Sequence, residues 1–407
     1  METVKVAIMG FGTIGSGIAE VFEKQKSVIT ARTGRVFEVA KILDVRDFSL
    51  HPMKDCFVNS VEDIVNDVSI SIVAEAIGGI KPAYDFVLKC IKAKKHVVTS
   101  NKELVAAMGT EIMKAAAENN VGFLFEASVG GTIPVISSIV GILQANSITA
   151  IDGILNGTTN YILTNMQNKN ITFEHALERA QDLGYAETID PSADIDGHDA
   201  ARKIAILASL IYGYHLPVER VKTEGIRDIS HADFELAERL NGTIKLLASA
   251  QGETYFQSRI TVRPTFVFNT NPFAAIDDVN NMISLSCNLS GNVSLYGRGA
   301  GKLPTAAVMV GDMIELVTKE ISKPPLWSDA LETTAVVEEQ PLKYFVTVHS
   351  DNKRIISRLV EQVEASTTTD NSAAFFTSRI VSSEAQRLKK RLQSHSVKVK
   401  LFEVVEE

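Results

Sequence analysis

Val4-Lys-Val-Ala-Ile-Met-Gly10-Phe11-Gly12-Thr13-Ile14-Gly15 is an apolar run that passes directly into G-x-G-x-x-G. The run predicts a buried strand, and Ile14–Lys24 predicts the helix after it. Each glycine then has a task. Gly10 permits the tight turn, Gly12 lets the backbone approach a pyrophosphate, and Gly15 lets helix and strand pack closely. The phosphates would sit at the positive end of the helix. A lone match to this pattern is weak, and a tight structural turn is the competing reading. Its place between a first strand and a first helix makes Gly10 to Gly15, with Phe11, Thr13 and Ile14, the expected dinucleotide loop.

Working outward, strands are expected at Phe37–Val45, from Ser69, at His96–Ser100 and at Gly122–Ser128, with helices from Pro82 and over Glu103–Asn119. Strand and helix in alternation predict a doubly wound parallel sheet, a Rossmann-type α/β domain over residues 1–130. The end of its second strand, Leu43-Asp44-Val45-Arg46, should read the ribose. Asp44 suits a 2′-hydroxyl and NAD, whereas Arg46 suits a 2′-phosphate and NADP. Both stay open, with a lean to NADP because Lys54 follows.

After Gly130 the rhythm changes. Helices over Gly157–Gln167, Thr172–Leu183, Asp199–Tyr212 and His231–Leu240 are mixed with strands in SITAIDGIL, YFQSRITVRPTFV and SLSCNLSGNVSLYG. This predicts an α+β domain over 131–300 with an antiparallel or mixed sheet. The helix from Pro304 is expected to complete the first domain (301–320). A linker is expected over 321–340, around Lys323–Pro325 and Glu338. Residues 341–407 read strand–helix–strand–helix–strand, a small separate module.

Composition narrows the functional classes. Of 407 residues, 45% are apolar and 22% charged, ordinary values for a folded chain. With 41 basic against 49 acidic residues, the net charge of −8 argues against a nucleic-acid surface. The basic run Arg387, Lys389, Lys390, Arg391 has no interleaved aromatics and reads as a solvated helix face. No apolar run is long enough for a membrane span, and the first residues lack a secretory n-region. Three cysteines, Cys56, Cys90 and Cys287, are too few and too scattered for a disulfide framework. A cytoplasmic protein is expected.

The acid-rich stretch Glu187-Thr-Ile-Asp190-Pro-Ser-Ala-Asp194-Ile-Asp196-Gly-His-Asp199-Ala-Ala-Arg202-Lys203 stands out. Asp199 and Lys203 are i,i+4 and share a helix face. On spacing alone, an acidic helix start with an ordinary surface salt bridge is the stronger reading. A calcium loop from Asp194 fails, because its twelfth position is Ala205. His175 and His198 lack partners at zinc spacing, G-x-S-x-G is absent, and Cys287 has no nearby His.

Six blocks, GFGTIGSG, TSNKELVA, FEASVGGTIP, NGTTNYIL, GYAE…DPSADIDGHDAARK and GRGAGKLPTA, together resemble the homoserine dehydrogenase family, in the family's order and across residues 4–316. The resemblance implies NAD(P)-dependent interconversion of L-homoserine and L-aspartate 4-semialdehyde, in threonine, methionine and isoleucine biosynthesis, by a homodimer built through the middle domain. It implies Lys203 as the catalytic lysine and Lys102 as a second lysine near the nicotinamide. Glu187, Asp194 and Asp199 fall where the family holds substrate, and Gly184 and Gly301 where backbone meets cofactor or substrate. Glu126, Val129, Gly131 and Ile133 match a segment whose carbonyls bind a monovalent cation, usually Na+. These roles are chemically coherent: a lysine becomes a useful base at neutral pH when desolvated or set beside another cation.

Two features depart from the family. Glu187-Thr-Ile-Asp190-Pro holds one residue more than the usual Glu-x-Asp-Pro, which bears on Glu187. The tail resembles an ACT module loosely, and Ser350-Asp-Asn-Lys-Arg replaces the expected Pro-Gly turn. A degenerate ACT-like module is expected, through which threonine does not inhibit and whose removal near residue 335 leaves activity largely unchanged if the tail does not stabilise the dimer. Two other functions compete. An amino-acid or semialdehyde dehydrogenase on the same scaffold would, in the semialdehyde case, need an activated thiolate, and none is evident. A non-catalytic nucleotide sensor would be expected to lack Lys203 or Asp199.

Overall fold

The computed structural model describes residues 2–319, 326–330, 340–360, 367–369 and 371–405. Most of the expected linker, including Lys323–Pro325 and Glu338, lies outside them. The chain opens with β1 (Glu2–Met9), α1 (Thr13–Thr33), β2 (Arg35–Leu43), β3 (Phe57–Val58), α2 (Val61–Val65), β4 (Ile70–Glu75), α3 (Ala83–Lys92), β5 (His96–Thr99), α4 (Lys102–Asn119), β6 (Phe123–Leu124) and α5 (Val135–Ile142). It continues with β7 (Ile148–Ile154), α6 (Gly157–Lys169), α7 (Phe173–Asp182), α8 (Ser192–Ile195), α9 (His198–Tyr212), β8 (Lys222–Thr223), α10 (His231–Arg239), β9 (Gly242–Gln251) and β10 (Arg259–Phe268). Last come β11 (Asn280–Cys287), β12 (Gly291–Arg298), α11 (Lys302–Thr318), β13 (Tyr344–His349), α12 (Lys353–Val360), β14 (Thr367–Thr368), β15 (Ser372–Phe376), α13 (Ser382–Gln393) and β16 (Lys398–Val405).

Two units result, one of Met1–Ile148, Arg202–Arg220 and Cys287–Glu332, the other of Thr149–Ala201, Val221–Ser286 and Thr333–Glu407. In the first, six parallel strands run in the order β3-β2-β1-β4-β5-β6. That is the Rossmann order, whose ligands bind outside the carboxyl ends of the strands. The central strands are buried from Val6 to Met9 of β1 and from Ile72 to Glu75 of β4, as a sheet covered on both faces requires. Helix α1 runs past the expected Lys24 to a left-handed stop at Gly34, and its stripe Ile18, Val21 and Phe22 shares a core with Met309, Val310 and Met313 of α11. Gly17 lets these helices meet, since a Cβ there would lie 3.0 Å from that of Ala306.

The second unit holds a mixed sheet in which β11, β7, β9, β10, β16, β13, β15 and β14 are successive neighbours, with β8 beside β10. No alternation marks Gly242–Gln251 as a strand, because nine of its ten residues are buried on both faces. It is nonetheless the full-length antiparallel partner of β10. The tail reads β-α-β-β-α-β, one short strand more than expected. Its last strand pairs with β10 in parallel and with β13 antiparallel, so the tail extends this same sheet. No helix among the described residues is long and apolar enough to cross a membrane.

Candidate active site

The turn between β1 and α1 shows why three glycines stand there. Gly10 has φ +89°, and a Cβ on it would sit 2.6 Å from the Ala76 carbonyl oxygen. A Cβ on Gly15 would lie 1.9 Å from the Gly10 oxygen, whereas one on Gly12 would meet nothing within 4 Å. Gly10 and Gly15 are therefore demanded by packing, and Gly12 opens on free space at the head of α1, which no side chain caps. A diphosphate fits such a place: bare backbone, room to approach, and a helix N-terminus. Phe11 anchors the loop in edge-on contact with Phe48, His51 and Phe57, at 5.5, 5.3 and 5.1 Å between centroids. Thr13 is exposed and Ile14 half-buried.

At the end of β2, Asp44 is buried and Arg46 exposed. Arg46 grips the carboxylate with Nε and Nη2, at 2.9 and 2.7 Å. The guanidinium holds the Asp44 carboxyl well below the usual carboxylate range, against its burial, and the amides of Phe11 and Arg46 add to the effect.

Beyond β4 and β5 lies a network that sequence reasoning missed. Glu75 is fully buried at the end of β4, and burial pushes its carboxyl up. It accepts hydrogen bonds from Ile77 N at 2.8 Å and from Thr99 Oγ1 at 2.5 Å. Thr99 Oγ1 in turn accepts from Asn101 N at 2.9 Å. Asn101 caps α4 by accepting from Leu104 N, and donates to the Gly79 carbonyl at 2.6 Å. Lys102, the first residue of α4, is set by this chain of bonds. The clue in the sequence was an acid ending an otherwise apolar strand.

Helix α9 carries Asp199 and Lys203 one turn apart, both buried. Their burial sets them apart from the exposed surface pair that the spacing alone favoured. Asn156, also missed, sits at the N-cap of α6, where its Oδ1 accepts from Thr159 N at 2.8 Å. Its Nδ2 donates to Asp194 Oδ1 at 2.7 Å and to Asp199 Oδ2 at 2.9 Å. One amide thus draws two of the five acids together. The other three lie elsewhere. Asp196 pairs with Arg227, Asp190 accepts from Ser192 N, and Glu187 is exposed in the loop after α7. Gly184 (φ +72°) is exposed in that loop, and Gly301 (φ +134°) is the N-cap of α11.

The segment expected to hold a cation is a tight turn. Val129, Gly131 and Ile133 are buried, and a Cβ on Gly131 would lie 2.3 Å from the Gly299 oxygen. The Glu126 carboxylate caps α5, accepting from Ile136 N and Ser137 N at 2.8 Å each. Each carboxylate oxygen takes one of these bonds, and the oxygens that Val129, Gly131 and Ile133 offer are those of the main chain. Burial raises the Glu126 carboxyl.

A family model described as homoserine dehydrogenase matches residues 134–314, and one described as the NAD binding domain of homoserine dehydrogenase matches residues 10–126. The homoserine dehydrogenase of Synechocystis is 43% identical over 321 residues, covering 77% of this chain and 73% of its own. The chain belongs to the homoserine dehydrogenase family. Among solved structures, the homoserine dehydrogenase of Thiobacillus denitrificans superposes with a TM-score of 0.87 at 30% identity, covering 100% of this chain and 99% of its own. A hyperthermophilic archaeal homoserine dehydrogenase in complex with NADPH superposes with a TM-score of 0.66 at 29% identity, over 78% of this chain and 99% of its own. This homoserine dehydrogenase is thus an NAD(P)-dependent oxidoreductase, with a parallel nucleotide-binding sheet and a second, mixed-sheet unit.

Proposed function

We propose that the enzyme interconverts L-homoserine and L-aspartate 4-semialdehyde, with NADPH preferred over NADH. The observation that carries the reading is the single amide of Asn156 aligning Asp194 and Asp199 one helical turn before the buried Lys203. Lys203 takes the substrate hydroxyl proton in one direction and returns it to the carbonyl oxygen in the other. Lys102 supplies the neighbouring positive charge, at the head of a helix fixed by Asn101 and Glu75. Asp194 and Asp199 answer the substrate ammonium, with Glu187 reaching it from its exposed loop. The nicotinamide, when bound, supplies or accepts the hydride. Gly10 to Gly15 hold its diphosphate, Arg46 its 2′-phosphate, and the backbone at Gly184 and Gly301 borders cofactor and substrate.

Three further parts of the reading rest on family resemblance. A monovalent cation, Na+ by choice, sits on carbonyl oxygens of Glu126, Val129, Gly131 and Ile133, as a hard ion prefers. A cytoplasmic homodimer forms through the middle domain. The tail is a degenerate ACT-like module, a reading that its β-α-β-β-α-β order supports. The test of the reaction is spectrophotometric: aspartate semialdehyde is offered with NADPH and then with NADH while nicotinamide absorbance is followed. Loss of absorbance, faster with NADPH, is expected. No loss with either cofactor would refute the activity, and faster loss with NADH would refute the preference.

A further inference from the structure

We propose that Asp44 does not read the cofactor's ribose but acts as a positioning residue that aims Arg46 at the 2′-phosphate and fixes the glycine-rich loop, an inference that rests on the NADPH reading above. A carboxylate has about four acceptor sites, and those of Asp44 are engaged from within the protein. Oδ2 accepts from Phe11 N at 2.7 Å and from Arg46 Nη2 at 2.7 Å. Oδ1 accepts from Arg46 N at 3.0 Å and from Arg46 Nε at 2.9 Å. An acid that reads a ribose needs free lone pairs for the hydroxyls. Here they are taken by Phe11 and Arg46.

The same contacts describe what Asp44 does instead. The Phe11 amide lies inside G-x-G-x-x-G, so this carboxylate ties the loop to the end of β2. Arg46 is 57% exposed, a setting in which a guanidinium normally roams. It is held at two side-chain nitrogens by Asp44, and its guanidinium carbon lies 5.2 Å from the centroid of Phe48, itself packed on Phe11. Of five N–H donors on the side chain, two point at Asp44 and three remain for a phosphate. Ordering the side chain in advance removes an entropy cost that binding would otherwise meet. The interposed guanidinium also screens a 2′-phosphate from the buried carboxylate.

Reading and positioning differ in sign. If Asp44 read the 2′-hydroxyl, Asp44→Asn would weaken NADH and leave NADPH unchanged or tighter, because a like charge would be gone. If Asp44 positions Arg46, Asp44→Asn weakens NADPH by about tenfold and NADH by less than about twofold, since the asparagine oxygen still accepts from Phe11 N. The measurement is direct titration of the full chain with NADPH and NADH by nicotinamide fluorescence, without substrate, on wild type, Asp44→Asn, Arg46→Met and the double variant. In the Arg46→Met background, Asp44→Asn is expected to have no further effect on NADPH. Weaker NADH with unchanged NADPH in Asp44→Asn, or additive losses in the double variant, would overturn the positioning role alone. An unchanged NADPH-to-NADH ratio in Arg46→Met would overturn the 2′-phosphate reading itself, and the proposal with it.

Discussion

Glu103 and Arg202 form an ion pair at 3.4 Å, and each adjoins a lysine in sequence, Lys102 on one side and Lys203 on the other. The pair ties the head of α4 to α9 at the two residues proposed to handle charge at the reacting carbon. Both partners are partly exposed, so the pair is worth at most about 1 kcal/mol to stability. Its weight is in placement. Lys203→Ala is expected to lower kcat by about 10³-fold or more while NADPH binding, measured by fluorescence, stays within about twofold, because a proton-transfer group acts on the transition state and not on the dinucleotide. A variant that kept most of its kcat would return Lys203 to a structural role.

Asn156→Ala removes two things together. The N-cap of α6 is lost, at a cost of about 1 kcal/mol, and Asp194 and Asp199 lose the donor they share. Melting is expected a few degrees lower, with KM for homoserine raised about tenfold as the two carboxylates part. Cofactor affinity should not move. Steady-state kinetics with thermal melts of the same sample separate the effects, and an unchanged KM would show that the alignment of the two acids is immaterial to substrate.

Asp312 offers a pH test in the nucleotide-binding unit. Burial raises its carboxyl well above the ordinary carboxylate value, and the neighbouring Glu126 carboxylate raises it further. An acid that binds its proton more tightly when folded costs stability as the pH rises past its unfolded value and up through its folded one. Asp312→Asn removes the ionisable group and keeps an oxygen to accept from Glu126 N, now at 3.1 Å. The variant should therefore melt above wild type at pH 8, and the gap should close as the pH falls to the unfolded carboxylate range near ~4. A gap that stays constant across this window would assign the effect to packing.

How much of this could be read from the chain depends on the range of each interaction. Gly10, Gly12 and Gly15 are legible because their demand is local: one turn, one helix start, one close approach. Asp44 is legible as a special residue by its place after β2, but that Arg46 takes up its carboxylate is seen only in the folded chain. Asn156 carries no such mark, and Glu75 only that of an acid closing an apolar strand. Asn156 meets its acid partner 43 residues on, and Glu75 meets Thr99 24 residues on, so only the folded chain shows why an amide and a carboxylate belong there. Strand β9 escaped notice for the opposite reason. It is buried on both faces, so the alternation that identifies half-buried strands is missing, and it carries Lys245, whose ammonium is satisfied by the Ile276 carbonyl and Asp277.

The tail sheds its expected independence once its contacts are counted as chemistry. Asp233 of α10 is fully buried. Burial would raise its carboxyl, but His349 and Lys400, both from the tail, hold it well below the usual range. Glu403 of β16 pairs with Arg259 and Arg263 of β10. Phe266 packs on Phe345 and Phe376, at 4.7 and 5.1 Å between centroids. Cutting the chain near residue 335 strips these partners, uncovers Asp233 and the aromatic rings that the tail covers, and leaves Thr265–Val267 of β10 as an open edge. Loss of soluble, active enzyme is therefore expected, in place of the unchanged activity that a detachable module implies. Asp233→Asn in the full chain gives the milder version. A depressed carboxyl contributes stability that is present above its unfolded value near ~4 and is lost as the pH falls towards its folded one. The variant should be destabilised at pH 7 and converge on wild type in acid. A truncated enzyme that stays soluble, melts with the full chain and turns over at its rate would show that the shared sheet does not depend on the tail.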